Sequence, residues 1–206
     1  MSATVDVWLV DTRDPYDETL LTPADRARRD ALRDARDRRR FAAAHAALQR
    51  IVAGRLGGAA VCWVRGPNGK PGLHGDPLRV SLSHAGEYAL IAVAADRPVG
   101  ADLQDLVPGL DWAALARRFF PPAEAGRVEA AGAGEFARLW ARKEAVVKAA
   151  GDRLTRGLGL PVAGDPAPVV EHAGVAYAVT DLPAPDGFRA AVALAGPEPF
   201  VIRTMS

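Results

Sequence analysis

The stretch LWARKEAVVKAAG, residues 139–151, predicts a helix that ends at Gly151. On a helical wheel, Lys143 falls in the middle of an apolar arc, and Glu144 and Lys148 lie beside it, four residues apart. The arc consists of Phe136, Leu139, Trp140, Val146, Val147 and Ala150. An exposed ion pair would explain Glu144 and Lys148. It does not explain Lys143, which we expect to extend past the packing face toward an anion.

Length and composition limit the class of protein. The chain has 206 residues, enough for one large domain or two small ones, and 49% of them are hydrophobic. The net charge of +1 provides no overall attraction to nucleic acid or membrane, so any charge-based function must be local. The single Cys62 excludes an internal disulfide framework and a cysteine-rich metal site. With no secretory signal and no long apolar run, we expect a soluble, cytoplasmic protein.

Strand and helix signals divide the chain into two parts. Alternating apolar residues predict strands at 5–10, 59–66, 169–180 and 187–196, and an antiparallel meander over 78–104. Thr22 and Pro23 predict the start of a helical region that runs to residue 58. Two further helices are predicted, one ended by Pro121–Pro122 and one ended by Gly151. This order predicts an α+β protein with two similar halves, residues 1–103 and 104–206.

Residues 25–40, DRARRDALRDARDRRR, carry eight Arg and four Asp. Their spacing fits an exposed helix whose Asp–Arg pairs lie three or four residues apart. The Arg residues could instead form an anion-binding face, because guanidinium donates paired hydrogen bonds to phosphate. Nucleic acid is a third option, but the interleaved Asp residues would repel its phosphate backbone.

Two short segments combine turn residues with polar side chains. NGKPG, residues 68–72, predicts by itself a hairpin loop in which Lys70 only adds solubility. SLSHAGE, residues 81–87, places Ser83 and His84 at the end of a strand, where neighbouring side chains point to opposite faces. A Ser–His catalytic pair is therefore disfavoured, and the glycines of a hydrolase nucleophile turn are absent. A phosphate or sugar contact is the favoured function of this segment, and a turn with a Ser cap is the simpler alternative.

The segment VGADLQD, residues 99–105, places two oxygen-bearing side chains on one face of a strand. Asp102 and Gln104 are two residues apart and share that face, whereas Asp105 points to the other. Oxygen ligands suit a hard cation such as Mg²⁺. Two ligands on one strand are by themselves a weak indication of a metal site.

Together, these segments resemble the 4′-phosphopantetheinyl transferases of the surfactin-synthetase-activating (Sfp) type. That family has a Gly-x-Asp-x-Glu strand and, further on, a helix with Trp-x-x-Lys-Glu-x-x-x-Lys. The corresponding residues here are 100–104, GADLQ, and 140–148, WARKEAVVK. Upstream, the family's Arg-Phe, Gly-Lys-Pro and Ser-x-Ser-His segments match residues 40–41, 69–71 and 81–84. The resemblance covers about residues 5–195, and its specificity comes from the order of the five segments.

The resemblance implies a fold and a set of site residues. The fold would be a pseudo-dimer of two α+β halves with antiparallel sheets, and coenzyme A would bind in the cleft between them. Asp102 and Glu144 would hold Mg²⁺ on the pyrophosphate, with Gln104 as a further metal ligand, and Lys148 would lie against the attacked phosphate. Other residues expected to contact coenzyme A are Arg40, Lys70, Pro71, Ser83, His84 and Lys143.

The implied reaction is transfer of the 4′-phosphopantetheine arm to a serine of an apo acyl or peptidyl carrier protein, with release of 3′,5′-ADP. Glu144 is our candidate base, Asp102 and Lys148 complete the catalytic set, and we expect a monomer. The family often has Glu where this chain has Gln104, so metal affinity should be lower here, or Gln104 does not touch the metal.

Three other functions stay open at this point. A degenerate homologue could bind carrier protein or coenzyme A without transfer, and Gln104 is the only support for it. An Arg-rich nucleic-acid-binding protein is disfavoured by the near-zero net charge. A Mg²⁺-dependent phosphohydrolase would use the same residue types, but it would release phosphate in the absence of a carrier protein. The sequence does not identify the carrier, which could belong to fatty acid, polyketide or nonribosomal peptide synthesis.

Overall fold

The computed structural model describes residues 2–165 and 168–206, and within these ranges it contains five α-helices and ten β-strands. The helices are α1 (Pro23–Asp30), α2 (Ala35–Arg55), α3 (Trp112–Phe119), α4 (Pro122–Ala131) and α5 (Ala133–Ala150). The strands are β1 (Ala3–Asp11), β2 (Trp63–Arg65), β3 (Pro71–Leu73), β4 (Arg79–Ala85), β5 (Tyr88–Ala94), β6 (Val99–Asp105), β7 (Val169–His172), β8 (Val175–Leu182), β9 (Phe188–Ala195) and β10 (Phe200–Met205). The predicted α+β class with antiparallel sheets is confirmed.

The strands form two four-stranded sheets and one short hairpin. The first sheet has the order β10-β1-β5-β4, in which β10 is parallel to β1 and the other neighbours are antiparallel. The second sheet has the order β6-β9-β8-β7 and is antiparallel throughout. β2 pairs with β3. Helix α2 packs on the first sheet, and α5 packs on the second.

The meander predicted over residues 78–104 is correct for its first two strands and wrong for the third. β4 and β5 pair with each other, but β6 leaves them and pairs with β9 of the second sheet. The apolar face of β6 still packs on the first sheet, because Val99, Ala101 and Leu103 share a core cluster with residues of β1 and β5. Thus β6 joins the two sheets through its side chains.

Helix boundaries follow local capping signals. The Thr22 hydroxyl accepts a hydrogen bond from the Asp25 N–H, and the Asp25 carboxylate accepts one in return, which completes a capping box at the start of α1. The helical region predicted up to residue 58 is interrupted, because the Asp34 side chain caps a new helix, α2. Gly151 ends α5 with a φ of 69°, as predicted.

The sequence prediction missed several elements. Pro122 does not only stop α3; it also begins α4, where proline is well tolerated in the first turn. The single strand predicted over residues 169–180 is a hairpin, β7–β8, and the strand β10 was not predicted. β10 follows the second sheet in the chain but joins the first.

Two sequence-based expectations concern the chain as a whole. The boundary between the predicted halves, residues 103 and 104, lies inside β6, and the division into domains stays a prediction. Among the helices in the described part of the chain, none has the length and apolar character needed to cross a membrane.

Candidate active site

Polar side chains from β4, β6 and α5 line one cavity of about 300 Å³. These polar residues are Ser83, His84, Asp102, Gln104, Asp105, Glu144 and Lys148. They come from three separate sequence segments, each of which was singled out above for its chemistry. The fold therefore brings together all four residues predicted to be catalytic or to bind metal, Asp102, Gln104, Glu144 and Lys148.

Alternation along β6 directs its polar side chains toward α5. The apolar residues of β6 face the first sheet, so Gly100, Asp102 and Gln104 occupy the opposite face. Gly100 allows a close approach, because a Cβ atom there would overlap backbone atoms of Ala145 and Ala149 in α5. The helix that carries Glu144 therefore lies directly against the strand that carries Asp102.

A hydrogen-bonded group of three side chains connects the three elements. Lys148 Nζ lies 2.6 Å from Asp102 Oδ1 and 2.9 Å from Ser83 Oγ. The Ser83 hydroxyl donates to the same Asp102 oxygen at 2.7 Å. Asp102 and Ser83 are buried, whereas 29% of the Lys148 side chain is exposed. Lys148 can therefore meet an anion in the cavity while it neutralises Asp102.

Glu144 has the environment of a proton acceptor. It is half-buried, and burial raises the pKa of its carboxyl above the usual value. The negative charge of Asp102 raises the pKa further, and the positive charge of Lys148 opposes the increase. A carboxylate with a raised pKa accepts a proton more readily near neutral pH.

The donor set fits a magnesium ion. Among the residues that the structure describes, none forms a hydrogen bond to the buried Asp102 Oδ2, so one carboxylate oxygen of the cavity lacks a partner there. Glu144 and the amide of Gln104 line the same cavity. In the described residues, no group of three or more His, Cys, Asp or Glu side chains is placed to hold a metal. The protein would therefore provide only part of the ligand set, as is common for Mg²⁺, which keeps water and substrate oxygens.

Four of the predicted coenzyme A contacts lie outside this cavity: Arg40, Lys70, Pro71 and Lys143. The Arg40 guanidinium forms two hydrogen bonds to the Glu87 carboxylate, at 2.5 and 3.2 Å. Lys70 and Pro71 line an adjoining cavity of about 210 Å³, which also includes Lys148.

Lys70 connects β6 and α5 through hydrogen bonds to both elements. Its Nζ donates to the carbonyl oxygens of Val99 and Ala149, each at 3.0 Å. These oxygens lie at the start of β6 and near the end of α5. Burial lowers the pKa of Lys70 to about 8, and the nearby Arg79 charge acts in the same direction. Lys70 thus helps to hold β6 against α5, and its third donor is left for another partner.

The prediction that Lys143 reaches the cleft is wrong. Its side chain is fully buried, and its Nζ donates to Glu124 Oε2 at 2.5 Å and to the Leu160 carbonyl oxygen. The Phe120 ring centroid lies 4.5 Å from the same nitrogen. Lys143 does extend toward an anion, but that anion is a glutamate of α4, on the side of α5 away from the cavity.

Sequence reasoning missed the residues around Lys143. Glu124 is 2% exposed, and the neighbouring Arg142 is fully buried, with two hydrogen bonds to Asp181 at 2.6 and 2.7 Å. The only available signal was Lys143 itself, a cation in an apolar arc that requires a partner. The position of Lys143 within α5 does not show which acidic residue of another helix or strand pairs with it.

Comparisons with known proteins agree with the geometry. A family model described as the 4′-phosphopantetheinyl transferase superfamily matches residues 98–195, which include both β6 and α5. HetI of Nostoc sp., named a 4′-phosphopantetheinyl transferase, is 36% identical over 171 residues, 77% of this chain and 72% of that protein. The protein slr0495 of Synechocystis sp., which bears the same name provisionally, is 32% identical over 165 residues, 74% of this chain and 67% of its own. This chain belongs to the 4′-phosphopantetheinyl transferase superfamily.

Proposed function

We propose that this protein transfers the 4′-phosphopantetheine arm of coenzyme A to a serine of an apo acyl or peptidyl carrier protein, in a Mg²⁺-dependent reaction that releases 3′,5′-ADP. One observation carries the proposal: Asp102, Glu144 and Lys148 line one cavity, within the region that matches the family. A buried carboxylate oxygen without a partner and a partly exposed ammonium are what a metal-bound pyrophosphate requires.

The carrier serine would attack the β-phosphate of coenzyme A. Its oxygen forms a new bond to that phosphorus, and the bond to the oxygen that leaves with 3′,5′-ADP breaks. Negative charge spreads over the phosphoryl oxygens in the transition state, so catalysis depends on positioning and on fixed positive charge. Lys148 supplies that charge, because its ammonium reaches the cavity and is held in place by Asp102 and Ser83.

Glu144 would take the proton of the attacking serine hydroxyl, directly or through a water molecule. Its raised pKa and its half-buried position support this role. Lys148 lies one helical turn further along α5 and so projects to the same side of the helix. One helix thus carries both the proton acceptor and the charge that stabilises the transition state.

Asp102, Glu144 and Gln104 would hold the metal ion. When bound, Mg²⁺ neutralises charge on the pyrophosphate and makes the nucleotide a better leaving group. Asp102 has one oxygen engaged by Lys148 and Ser83 and one free, so it can face the metal without losing its present contacts.

The nucleotide part of coenzyme A would extend from this cavity into the adjoining one. Lys148 and Leu82 line both cavities, which supports a continuous path for an extended substrate. Lys70 and Pro71 would then lie beside the nucleotide, and Arg40 and His84 would be available to its phosphates at the mouth of the cleft. Arg40 would have to share its guanidinium with Glu87.

The test is a panel of apo carrier proteins from fatty acid, polyketide and nonribosomal peptide systems, incubated with coenzyme A and Mg²⁺. We expect a mass increase of at least one carrier by one phosphopantetheine group, formation of 3′,5′-ADP, and loss of both on addition of a chelator. Binding of coenzyme A or carrier without any mass increase would instead indicate a degenerate binding homologue. Release of phosphate in the absence of carrier would indicate a phosphohydrolase, and either result would overturn the proposal.

A further inference from the structure

Two consecutive cations of α5 are fully buried on the side of the helix that faces away from the cavity. Arg142 and Lys143 each have 0% exposure. Burying a charge costs several kcal/mol unless it is paired and hydrogen-bonded. Most of the remaining packing surface of α5 is formed by small or apolar side chains, so these two charges are its exception.

Both cations bind the same irregular segment, residues 160–164. Arg142 Nη1 donates to the carbonyl oxygens of Val162 and Gly164, each at 2.8 Å. Lys143 Nζ donates to the Leu160 carbonyl oxygen. These are backbone oxygens of a segment outside any helix or strand, in which Val162 is buried, so the two side chains supply the partners that secondary structure would otherwise provide.

Glu124 of α4 completes the network. One of its carboxylate oxygens accepts from Lys143 Nζ, and the other accepts from the Val162 N–H at 2.5 Å. Glu124 lies in the first turn of α4, where the helix dipole favours a negative charge. Lys143 is therefore fixed to α4 and to segment 160–164 at the same time.

The face of α5 that lies against β6 gives close contact through small side chains. There, Ala145 and Ala149 lie against Gly100 of β6, and this small-residue contact brings the helix near the strand. Methyl groups and backbone pack without a preferred angle, whereas charged hydrogen bonds require a defined geometry. The charged hydrogen bonds of Lys143 thus help to fix the orientation of α5 about its axis, together with those of Lys148 and Lys70 on the side of β6.

We infer that the buried Lys143–Glu124 pair is a positioning device for the active site: it fixes the rotation of α5 and thereby directs Glu144 toward Asp102. Lys143 and Glu144 are consecutive, so a fixed direction for one side chain determines the direction of the other. Lys143 is a positioning residue and does not touch substrate. The inference rests on the proposed function of Glu144.

The variant that tests this inference is Lys143→Met combined with Glu124→Gln. Lys143→Met alone would leave a buried carboxylate without its cation and could prevent folding. The double variant removes both charges, retains similar volumes and keeps an amide oxygen for the Val162 N–H. We expect a folded protein in which kcat for carrier loading falls roughly ten- to a hundredfold, while KM for coenzyme A is nearly unchanged.

The matched control is Asp6→Asn, which removes another buried carboxylate from an ion-pair network, between β1, α2 and β10. It should lower the melting temperature and leave kcat of the folded protein unchanged. An unchanged kcat in the folded double variant, or a change confined to KM, would overturn the inference.

A crystal structure of the double variant separates this inference from the proposed function. If the unchanged protein loads no carrier, the proposed reaction is wrong, but the orientation of α5 can still be measured. We expect Glu144 to be displaced relative to Asp102 when the variant and the unchanged protein are superposed on β6. Superposable Glu144 carboxylates would contradict the positioning role even if the activity had fallen.

Discussion

At the scale of single residues, the site depends on the contacts of two carboxylates, Asp102 and Glu144. Asp102 gives one oxygen to Lys148 and Ser83 and keeps the other free. Glu144 has a raised pKa because it is partly buried and close to that carboxylate. In the proposed reaction, Glu144 would accept the proton, and Asp102, held by Lys148 and Ser83, would turn its other oxygen to the metal.

Gln104 offers a residue-scale prediction. Its side chain lines the cavity, and its amide nitrogen donates to the Asp105 carbonyl oxygen at 3.2 Å. If its oxygen ligates the metal, Gln104→Glu adds a negative charge to the site and lowers the Mg²⁺ concentration that gives half-maximal loading. A Mg²⁺ titration of carrier loading provides the measurement, with Gln104→Ala as the control that should raise this concentration. An identical Mg²⁺ dependence in all three proteins would show that Gln104 is not a ligand.

At the residue scale, the sequence predicted the cavity well and the buried network poorly. Asp102, Glu144 and Lys148 belong to recognisable spacings, so their convergence could be anticipated. Lys143 was correctly identified as a cation that needs a partner, but the partner was placed on the wrong side of the helix. Glu124 lies on a helix that was not predicted, and such a contact depends on tertiary packing rather than on local pattern.

At the scale of elements, the contact between β6 and α5 decides whether the site forms. Gly100→Ala would place a methyl group against backbone atoms of Ala145 and Ala149, which cannot move aside independently. We expect α5 to shift away from β6, with loss of stability and of carrier loading, because Asp102 and Glu144 separate. Thermal unfolding and loading rates of the variant provide the measurement.

Gly126→Ala is the matched control for that change. A Cβ atom at position 126 meets no atom of the described residues within 4 Å, and the residue lies in the exposed part of α4. Alanine is preferred over glycine in a helix interior by about 1 kcal/mol, so this variant should be at least as stable and fully active. Wild-type activity in Gly100→Ala would show that the close approach at β6 is not needed for the site.

Among the elements, those with clear periodicity or caps were predictable. The helix α5 and the strands β1, β5 and β9 follow from local pattern. The local pattern of β6 predicts a strand, but it does not show which of the two sheets the strand joins. The pairing of β6 with β9, a strand far along the chain, decides this. β10 was missed since four of its six residues are exposed and no turn signal ties it to a distant strand such as β1.

At the scale of the whole molecule, the end of the chain is tied back to its beginning. Asp6 of β1 is 1% exposed and accepts hydrogen bonds from Arg203 of β10 at 2.5 and 2.8 Å. Arg55, at the end of α2, also lies 2.5 Å from this carboxylate. The buried Asp6 carboxylate therefore links β10 to β1 in addition to the backbone pairing between these two strands.

The ion pair between Asp6 and Arg203 predicts that the stability of the protein depends on pH. The hydrogen bonds from Arg203 hold the pKa of Asp6 below its usual value, so its ionised form stabilises the folded state above about pH 4. That contribution is lost as the pH falls through the lowered pKa. Asp6→Asn should reduce the free energy of unfolding at pH 7 by about 1–3 kcal/mol. In denaturant titrations between pH 7 and pH 2, the difference from the unchanged protein should shrink; a constant difference would contradict the assignment.

The most direct test of the central claim is a single measurement of carrier loading by Glu144→Gln. The variant keeps the size of the side chain and removes its ability to accept a proton and to bring charge to the metal. With an apo carrier that the unchanged protein loads, intact-mass analysis should show almost no phosphopantetheine transfer, while the melting temperature stays close to that of the unchanged protein. Loading by the folded variant at the unchanged rate would contradict the account of this site.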